Sequence, residues 1–469
     1  MRLALVQHFP SPIRNPQSAI RNKNPAHWRT SVSTLLLKGG RVFDPSQKLD
    51  KIADIVIQDG TIAKIGSGLS GDTTLDCSGK LVCPGFIDIH VHFREPGFGA
   101  KETIATGSAA AVHGGFCTVV TMPNTDPPID NPTSIAYQYL QARNAGKARL
   151  FPMGCITKGR AGTELAELGL MALPNSGYPG AVAFTDDGAA VPSSQVMRSA
   201  FEYAQSLNRV IVEHCEDHDL SHGAIMHEGK VSAALGINGY PSAAEEIIVA
   251  RDIRLAKLAN ARFHVSHISA KGAVQLVREA KAKGAKVSAE VSPHHLLLTD
   301  ECCRGFDPVY KMNPPLREAS DVEACLEGLL DGTIDCFASD HAPHTSEEKA
   351  REFIEAPNGI IGLESNIAVL LAKLVLTGKI PLARFVEAWT SAPAKCLGLD
   401  QFGVTGKLLE KGNADITVLD LDQEWKLDAA VFKSKARNCP FNGWALKGAP
   451  VYTIVGGVVH EAIGLTVRK

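Results

Sequence analysis

The sequence predicts an α/β fold: a closed (β/α)8 barrel of TIM type that carries a small β-sandwich domain built from both chain ends. Three observations predict it. Short apolar runs of β type alternate with helical stretches through the middle of the chain. Successive runs end on His or Asp, which is the pattern of a parallel barrel whose reactive groups gather at the carboxyl ends of its strands. Both chain ends show instead short strands broken by glycine turns, the composition of a separate sheet.

Residues 1–32 carry Arg2, Arg14, Arg21, Lys23 and Arg29 with several prolines and no acidic residue, so a disordered extension is expected there. An import peptide shares that basic composition, but the segment lacks an amphipathic run. Residues 33–85 read as the first part of the sandwich: Leu35-Leu36-Leu37, a Gly39-Gly40 turn, Arg41-Val42-Phe43, then Asp54-Ile55-Val56-Ile57 and a turn at Asp59-Gly60. Residues 86–400 form the barrel. The strand reaching His90 is followed by a helix over 102–112, a strand over 117–122, a helix over 134–144 and a strand over 149–156. The run 181–185 ends at Asp186-Asp187 and feeds a helix over 193–206; the run 210–213 ends at His214 and precedes a helix over 243–258. The run 263–266 ends at His267 and leads to a helix over 272–283, a strand over 286–291 and a helix over 321–330. The run 334–339 ends at Asp340, and a helix over 363–376 completes the series. Residues 401–469 return to the sandwich through strands at 415–419 and 451–455. An open doubly wound sheet is the competing architecture, weakened because no Gly-x-Gly-x-x-Gly turn follows the first strand.

A chain of 469 residues suits a large barrel with one modest accessory domain. A formal net charge of -2 offers no field for nucleic acid or an anionic membrane. No apolar run approaches the roughly 18 residues that cross a bilayer, so a soluble protein is expected. Eleven cysteines without a Cys-x-x-Cys pair, and no signal peptide, argue for reduced thiols in the cytoplasm.

The chemistry begins at Asp88-Ile89-His90-Val91-His92. Side chains alternate along a strand, so His90 and His92 face one way and offer two imidazoles to a divalent ion such as Zn²⁺. An isolated His-x-His is as well explained by hydrogen-bonded core histidines, and each later Asp or His by a helix cap or a carbonyl partner. Chance is a poor account of their repetition at the end of one strand after another.

Six segments together carry a family resemblance: Gly85-Phe86-Ile87-Asp88-Ile89-His90-Val91-His92-Phe93-Arg94-Glu95-Pro96-Gly97, Met122-Pro123-Asn124-Thr125, Phe184-Thr185-Asp186-Asp187-Gly188, Glu213-His214-Cys215-Glu216-Asp217, Asn313-Pro314-Pro315-Leu316-Arg317 and Ser339-Asp340-His341-Ala342-Pro343-His344. The chain resembles the dihydroorotases of the amidohydrolase superfamily, from about residue 35 to about residue 461. The resemblance implies His90, His92 and Asp340 as ligands of one zinc, His214 and His267 as ligands of a second, and Asp187 as the bridge, with one or two ions bound. Strand alternation leaves Asp186 and Asp187 open; the family pattern favours Asp187. Many relatives bridge their metals with a carboxylated lysine, yet no lysine stands between Lys158 and Lys230. That places the chain with the dihydroorotases that use aspartate, and counts against hydantoinase and allantoinase readings.

The implied reaction is the reversible cyclisation of N-carbamoyl-L-aspartate to L-dihydroorotate and water, in pyrimidine biosynthesis. Zinc would activate the attacking water, and Asp340 would shuttle its proton to the ring nitrogen. The substrate is an anion, and Arg94 stands two residues past His92, on the same side if the strand continues, with a fork suited to a carboxylate. The resemblance adds His92, Asn124, Asn313 and His344 as substrate contacts, with the backbone of Asn358 and Gly359 closing over the ring. Asp88 is a candidate for orienting an imidazole from behind. Cys215 should face the helical layer, His341 reads as structural, and neither His294 nor His295 is assigned a role. Two further readings stand beside this one: another cyclic-amide hydrolase on the same site, and a silent homologue acting as a scaffold for aspartate transcarbamoylase. A complex with that enzyme and a homo-oligomer are the partners considered.

Overall fold

The computed structural model describes residues 33–174 and 177–467. The expected extension at residues 1–32 lies outside the described residues. Five strands open the described chain: β1 (Leu35–Asp44), β2 (Leu49–Gln58), β3 (Thr61–Gly66), β4 (Thr73–Asp76) and β5 (Leu81–Pro84). The middle contributes β6 (Phe86–Val91), β7 (Phe116–Thr121), β8 (Arg149–Pro152), β9 (Ala183–Phe184), β10 (Val210–Glu213), the small pair β11 (Met226–His227) and β12 (Gly239–Tyr240), then β13 (Phe263–Val265), β14 (Val287–Val291) and β15 (Cys336–Phe337). Three strands close the chain: β16 (Ile416–Lys426), β17 (Ala445–Val455) and β18 (Val458–Glu461).

Both chain ends build one eight-stranded sheet in the order β18-β17-β16-β5-β1-β2-β3, with β4 beside β1. Its two halves meet where β16 pairs antiparallel with β5, Val418 opposite Val82. A register shift between Leu37 and Gly40 divides β1, so that Leu35 pairs with Thr73 of β4 while Arg41 pairs with Leu81 of β5. Gly40 is required at that bend, because a Cβ there would meet Val82 Cγ2 at 2.5 Å. Leu37, Ile55, Ile57, Val82, Ile416 and Ile454 are buried together on this sheet.

The middle holds two parallel arcs, β6-β7-β8 and β9-β10-β13-β14-β15. Parallel bridges join the arcs at both seams, Gly154 to Phe184 and Val91 to His341. Strands β6, β7 and β10 are buried along their whole length, as expected of parallel strands covered on both faces. Helices lie close to where the sequence places them. The expected helix over 102–112 is Ile104–Gly114, started by the Thr103 cap and stopped by Gly115 at φ 105°. The one over 134–144 is Pro132–Ala145, with Asn131 as cap and proline in the first turn. The last expected helix, over 363–376, is shorter: Asn366–Leu370 runs into a π-turn over Leu371–Val375. No helix of the described residues is long and apolar enough to cross a membrane.

A buried ion pair ties the loops beyond β12, β13 and β14. Arg317, 1% exposed, donates to Glu245 Oε2 at 3.1 Å, to Ser269 Oγ at 3.0 Å and to the Tyr240 carbonyl at 3.3 Å. Glu245 also accepts from the Ser269 and Ala270 amides at 2.9 and 3.1 Å. Removing one partner strands the other charge in the core, so Glu245→Ala is expected to cost about 3–5 kcal/mol, read as a lower urea midpoint. Burial raises the Glu245 carboxyl, but Arg317 and the Ser269 and Ala270 hydrogen bonds outweigh it and hold it below its usual 4.5. A depressed carboxyl stabilises the fold above its unfolded value and loses that contribution as pH falls through the folded value. The midpoint gap between wild type and Glu245→Gln is therefore expected to be full at pH 7 and to shrink below pH 4.5. A gap that grows on acidification contradicts this account.

Candidate metal centre

Six of the predicted residues converge at the carboxyl ends of the two arcs. His90 lies on β6 and His92 one residue past it; His214 directly follows β10, His267 is two residues past β13, and Asp187 and Asp340 stand three residues past β9 and β15. All six are buried. His90, His92 and Asp187 form one triad, and Asp187, His214 and His267 a second; within each, one ligand atom per residue lies within 4.8 Å of the others. Asp187 is the shared member. Its Oδ1 sits 3.3 Å from His90 Nε2 and 3.7 Å from His267 Nε2, and its Oδ2 sits 3.6 Å from His92 Nε2. Asp340 Oδ1 closes the first triad at 3.1 Å from His92 Nε2 and 3.6 Å from His90 Nε2. Asp186 points elsewhere: its Oδ1 accepts from the Ile156 and Thr157 amides at 2.8 and 3.1 Å.

This donor set fits divalent ions. His90 Nε2 and Asp187 Oδ1 are buried, face each other and have no hydrogen-bond partner. Buried polar atoms in that state are costly, and a cation bonded to both would satisfy them. The opposite ring nitrogens are held by oxygen acceptors: His90 Nδ1 by Glu290 Oε1 at 2.7 Å, His92 Nδ1 by Asn124 Oδ1 at 2.9 Å and His214 Nε2 by Glu216 Oε2 at 2.7 Å. Each contact leaves the other nitrogen free to face the centre. Burial raises the Glu290 carboxyl, but His90 and His264 outweigh it and bring it to about 2. Burial likewise raises Asp340, and the His92 hydrogen bond with the neighbouring imidazoles holds it below the usual carboxylate range. Both are anions at neutral pH.

Glu290 takes the part expected of Asp88. The Asp88 carboxylate accepts from the His90 and Ser339 amides at 3.2 and 3.1 Å, so it fixes backbone and seam instead of a ring. Neither Glu290 nor Glu216 figures as an orienting group in the sequence reading. Glu290 carried a signal, an acidic residue inside an apolar strand; Glu216 stands two residues past His214 and could have been sought by the same alternation that paired His90 with His92. Cys215 lies in the apolar core with its thiol on the Glu213 carbonyl at 3.6 Å. His341 accepts from the Gly362 and Leu363 amides at 3.2 and 3.4 Å, a structural role. His295 meets the Pro314 carbonyl at 3.1 Å, and both ring nitrogens of the buried His294 lack hydrogen-bond partners.

The expected substrate contacts rim the same centre. Arg94 arrives by another route than strand alternation: β6 has ended, and Arg94 sits at φ 58°. Its Nε donates to the Pro343 carbonyl at 3.3 Å, and its Nη2 lies 3.5 Å from His344 Nε2. Burial lowers the guanidinium to about 10, so it stays cationic. Burial and the charges of Arg94, Lys101 and Lys349 push His344 down to about 3, which keeps it neutral, and its Nε2 donates to the Asn358 carbonyl at 2.8 Å. Asn124 bridges His92 and Asp187, donating to Asp187 Oδ2 at 3.2 Å. Asn313 Nδ2 donates to Glu216 Oε2 at 2.8 Å. Gly359, at φ 128°, leaves no room for a Cβ, which would meet Ala342 Cβ at 2.8 Å. Its carbonyl accepts from Lys349 Nζ at 3.1 Å and from Asn438 Nδ2 at 3.0 Å, and Asn438 also donates to the Ala342 carbonyl at 3.2 Å. A groove of about 1350 Å³ lies elsewhere, lined by residues such as Lys281, Asp335, Arg384 and Cys396 and by none of the six donors.

Comparison with known proteins decides the family. A family model described as Dihydro-orotase-like matches residues 79–273. A curated dihydroorotase of Citrifermentans bemidjiense is 47% identical over 91% of this chain and 100% of its own length. One of Pelotomaculum thermopropionicum is 49% identical, covering 91% of this chain and 98% of that protein. The chain belongs to the dihydroorotase family. Solved structures share the fold of this chain: the L-hydantoinase (dihydropyrimidinase) of Arthrobacter aurescens has a TM-score of 0.80 at 28% identity, over 92% of this chain and 97% of that one. The dihydropyrimidinase of Brevibacillus agri has a TM-score of 0.78 at 23% identity, over 92% and 95%. The family chain is thus a cyclic amidohydrolase with a His and Asp cluster suited to metal.

Proposed function

We propose that the chain is a zinc-dependent dihydroorotase that interconverts N-carbamoyl-L-aspartate and L-dihydroorotate in pyrimidine biosynthesis. The observation that carries this reading is the Asp187-centred pair of triads beside a buried cationic Arg94, in a chain 47–49% identical to dihydroorotases along nearly its whole length. His90, His92 and Asp340 would hold one ion, His214 and His267 the other, and Asp187 both. When bound, the ions supply Lewis acidity that activates water at neutral pH and polarises a ring carbonyl. Asp340 is ionised and faces the same space, so it takes the proton of the attacking water and delivers it to the departing ring nitrogen. Ring closure runs these transfers backwards. Arg94, with the neutral His344 beside it, anchors the substrate carboxylate, and His92, Asn124, Asn313 and the Asn358 and Gly359 backbone complete the contacts.

The two arcs and their seam bridges are read as one closed (β/α)8 barrel of TIM type over residues 86–400, and the terminal sheet as a β-sandwich domain over 33–85 and 401–469. All eleven cysteines are free thiols, which supports a reducing compartment such as the cytoplasm. A homo-oligomer and a complex with aspartate transcarbamoylase belong to the same proposal.

Turnover of a substrate panel tests the reading. The kcat/KM for opening dihydroorotate is expected to exceed that for hydantoin or allantoin by more than about a hundredfold, since only the former offers a carboxylate to a buried charged donor. Arg94→Met is expected to raise KM for dihydroorotate by roughly 10- to 100-fold, the loss of a charge-assisted hydrogen bond. Preference for hydantoin or allantoin points to the other cyclic-amide hydrolases; no turnover of any of them, with metal bound, points to a silent scaffold.

A further inference from the structure

Glu216 stands between the two halves of the site. Its Oε2 accepts from His214 Nε2 at 2.7 Å and from Asn313 Nδ2 at 2.8 Å, so one oxygen holds a metal-triad imidazole and a substrate-rim amide together. Its Oε1 accepts from Ser221 Oγ at 2.5 Å and faces His218 Nδ1 at 3.5 Å, which pins the carboxylate from behind. Glu216 is only 6% exposed, so neither oxygen is free to turn to water. With the His214 proton fixed on Nε2 by a carboxylate, Nδ1 carries the lone pair, and that atom lies 3.0 Å from His267 Nε2 within the second triad.

We infer that Glu216 is a positioning residue that couples occupancy of the His214 and His267 ion site to the placement of Asn313 against substrate. The inference rests on the dihydroorotase reading and deepens it. The coupling runs through one shared acceptor: any shift of the Glu216 oxygen that loosens His214 releases Asn313 as well. Asn124 does the matching work on the other triad, where it joins His92 to Asp187.

The test compares Glu216→Ala and Glu216→Gln with wild type by chelator competition for Zn²⁺ and by steady-state kinetics on dihydroorotate, each alone and combined with Asn313→Ala. Glu216→Ala is expected to loosen one of two ion equivalents by roughly 10- to 100-fold and leave the other unchanged. Asn313→Ala is expected to raise KM in wild type but to add little in Glu216→Ala, because that amide is already unanchored. Glu216→Gln keeps the volume and an acceptor and loses the charge, so it is expected to recover most of the KM with an ion affinity between the two. Should the alanine variant not fold, the glutamine variant carries the same reading: one ion weakened and the other not. Both ions weakened equally, neither weakened, or an Asn313→Ala effect of the same size in both backgrounds overturns the inference. A wild-type chain that binds zinc tightly but never turns over dihydroorotate defeats the dihydroorotase reading instead, and leaves the selective loss of one ion as the test of Glu216.

Discussion

Asp340→Asn is expected to abolish both ring opening and ring closure, with a loss on the order of 10²–10⁴ from the proton transfer alone. The reason is geometric and electrostatic together. Asp340 Oδ1 lies 3.1 Å from His92 Nε2, and the surrounding imidazoles hold its carboxyl below the ordinary range, so at neutral pH it is an anion able to accept a proton. An amide keeps the volume and an oxygen donor but cannot take up a proton and hand it on. Rates in both directions should fall together, since the same group serves each. Substrate affinity should change much less, because the proposed carboxylate anchor is Arg94. Direct binding of dihydroorotate by calorimetry separates the two effects. Near wild-type turnover in Asp340→Asn removes the shuttle from the mechanism.

Metal removal is expected to have the second large effect. Dialysis against a chelator should silence the enzyme, and added Zn²⁺ should restore it. The fold has a stake in this too. His90 Nε2 and Asp187 Oδ1 are buried without hydrogen-bond partners, and four imidazoles with two carboxylates crowd a space within a few ångströms. An ion that binds only the folded chain stabilises it by about 4 kcal/mol at a thousand times its dissociation constant. The chelated protein should therefore melt earlier than the zinc-loaded one in calorimetry, by an amount that grows with free zinc. Full activity after removal of bound metal, verified by elemental analysis, contradicts the proposed chemistry.

Periodicity placed the runs that lead to the donors at one rim, because the alternation of strand and helix fixes which rim that is, while the choice of Asp187 over Asp186 came from the family pattern. It failed where the chain leaves the sheet. Arg94, His267 and Asp340 have positive φ values of 58°, 29° and 47°, a region that strand alternation does not describe. Arg94 still reaches the site, but by a turn instead of a continued strand. Glu290 was overlooked for another reason: an acidic residue inside an apolar strand marks a buried charge but not its partner, and its contact with His90 spans 200 positions, whereas Asp88, two residues from His90, binds backbone. Asn438 makes another distant connection, from the segment between β16 and β17 to the carbonyls of Ala342 and Gly359.

That last connection bears on the order in which the molecule can be made. All six donors leave the ribosome before β16, whose pairing with β5 fills the open edge of the terminal sheet. A nascent chain that has reached residue 400 therefore holds all six donors yet exposes an unpaired strand edge, a template for association with other chains until its final segment emerges. Gly359 gains its Asn438 support later still, so the loop proposed to cover the ring is fastened after the donors are in place. Synthesis thus supplies the donor cluster early and its proposed cover late.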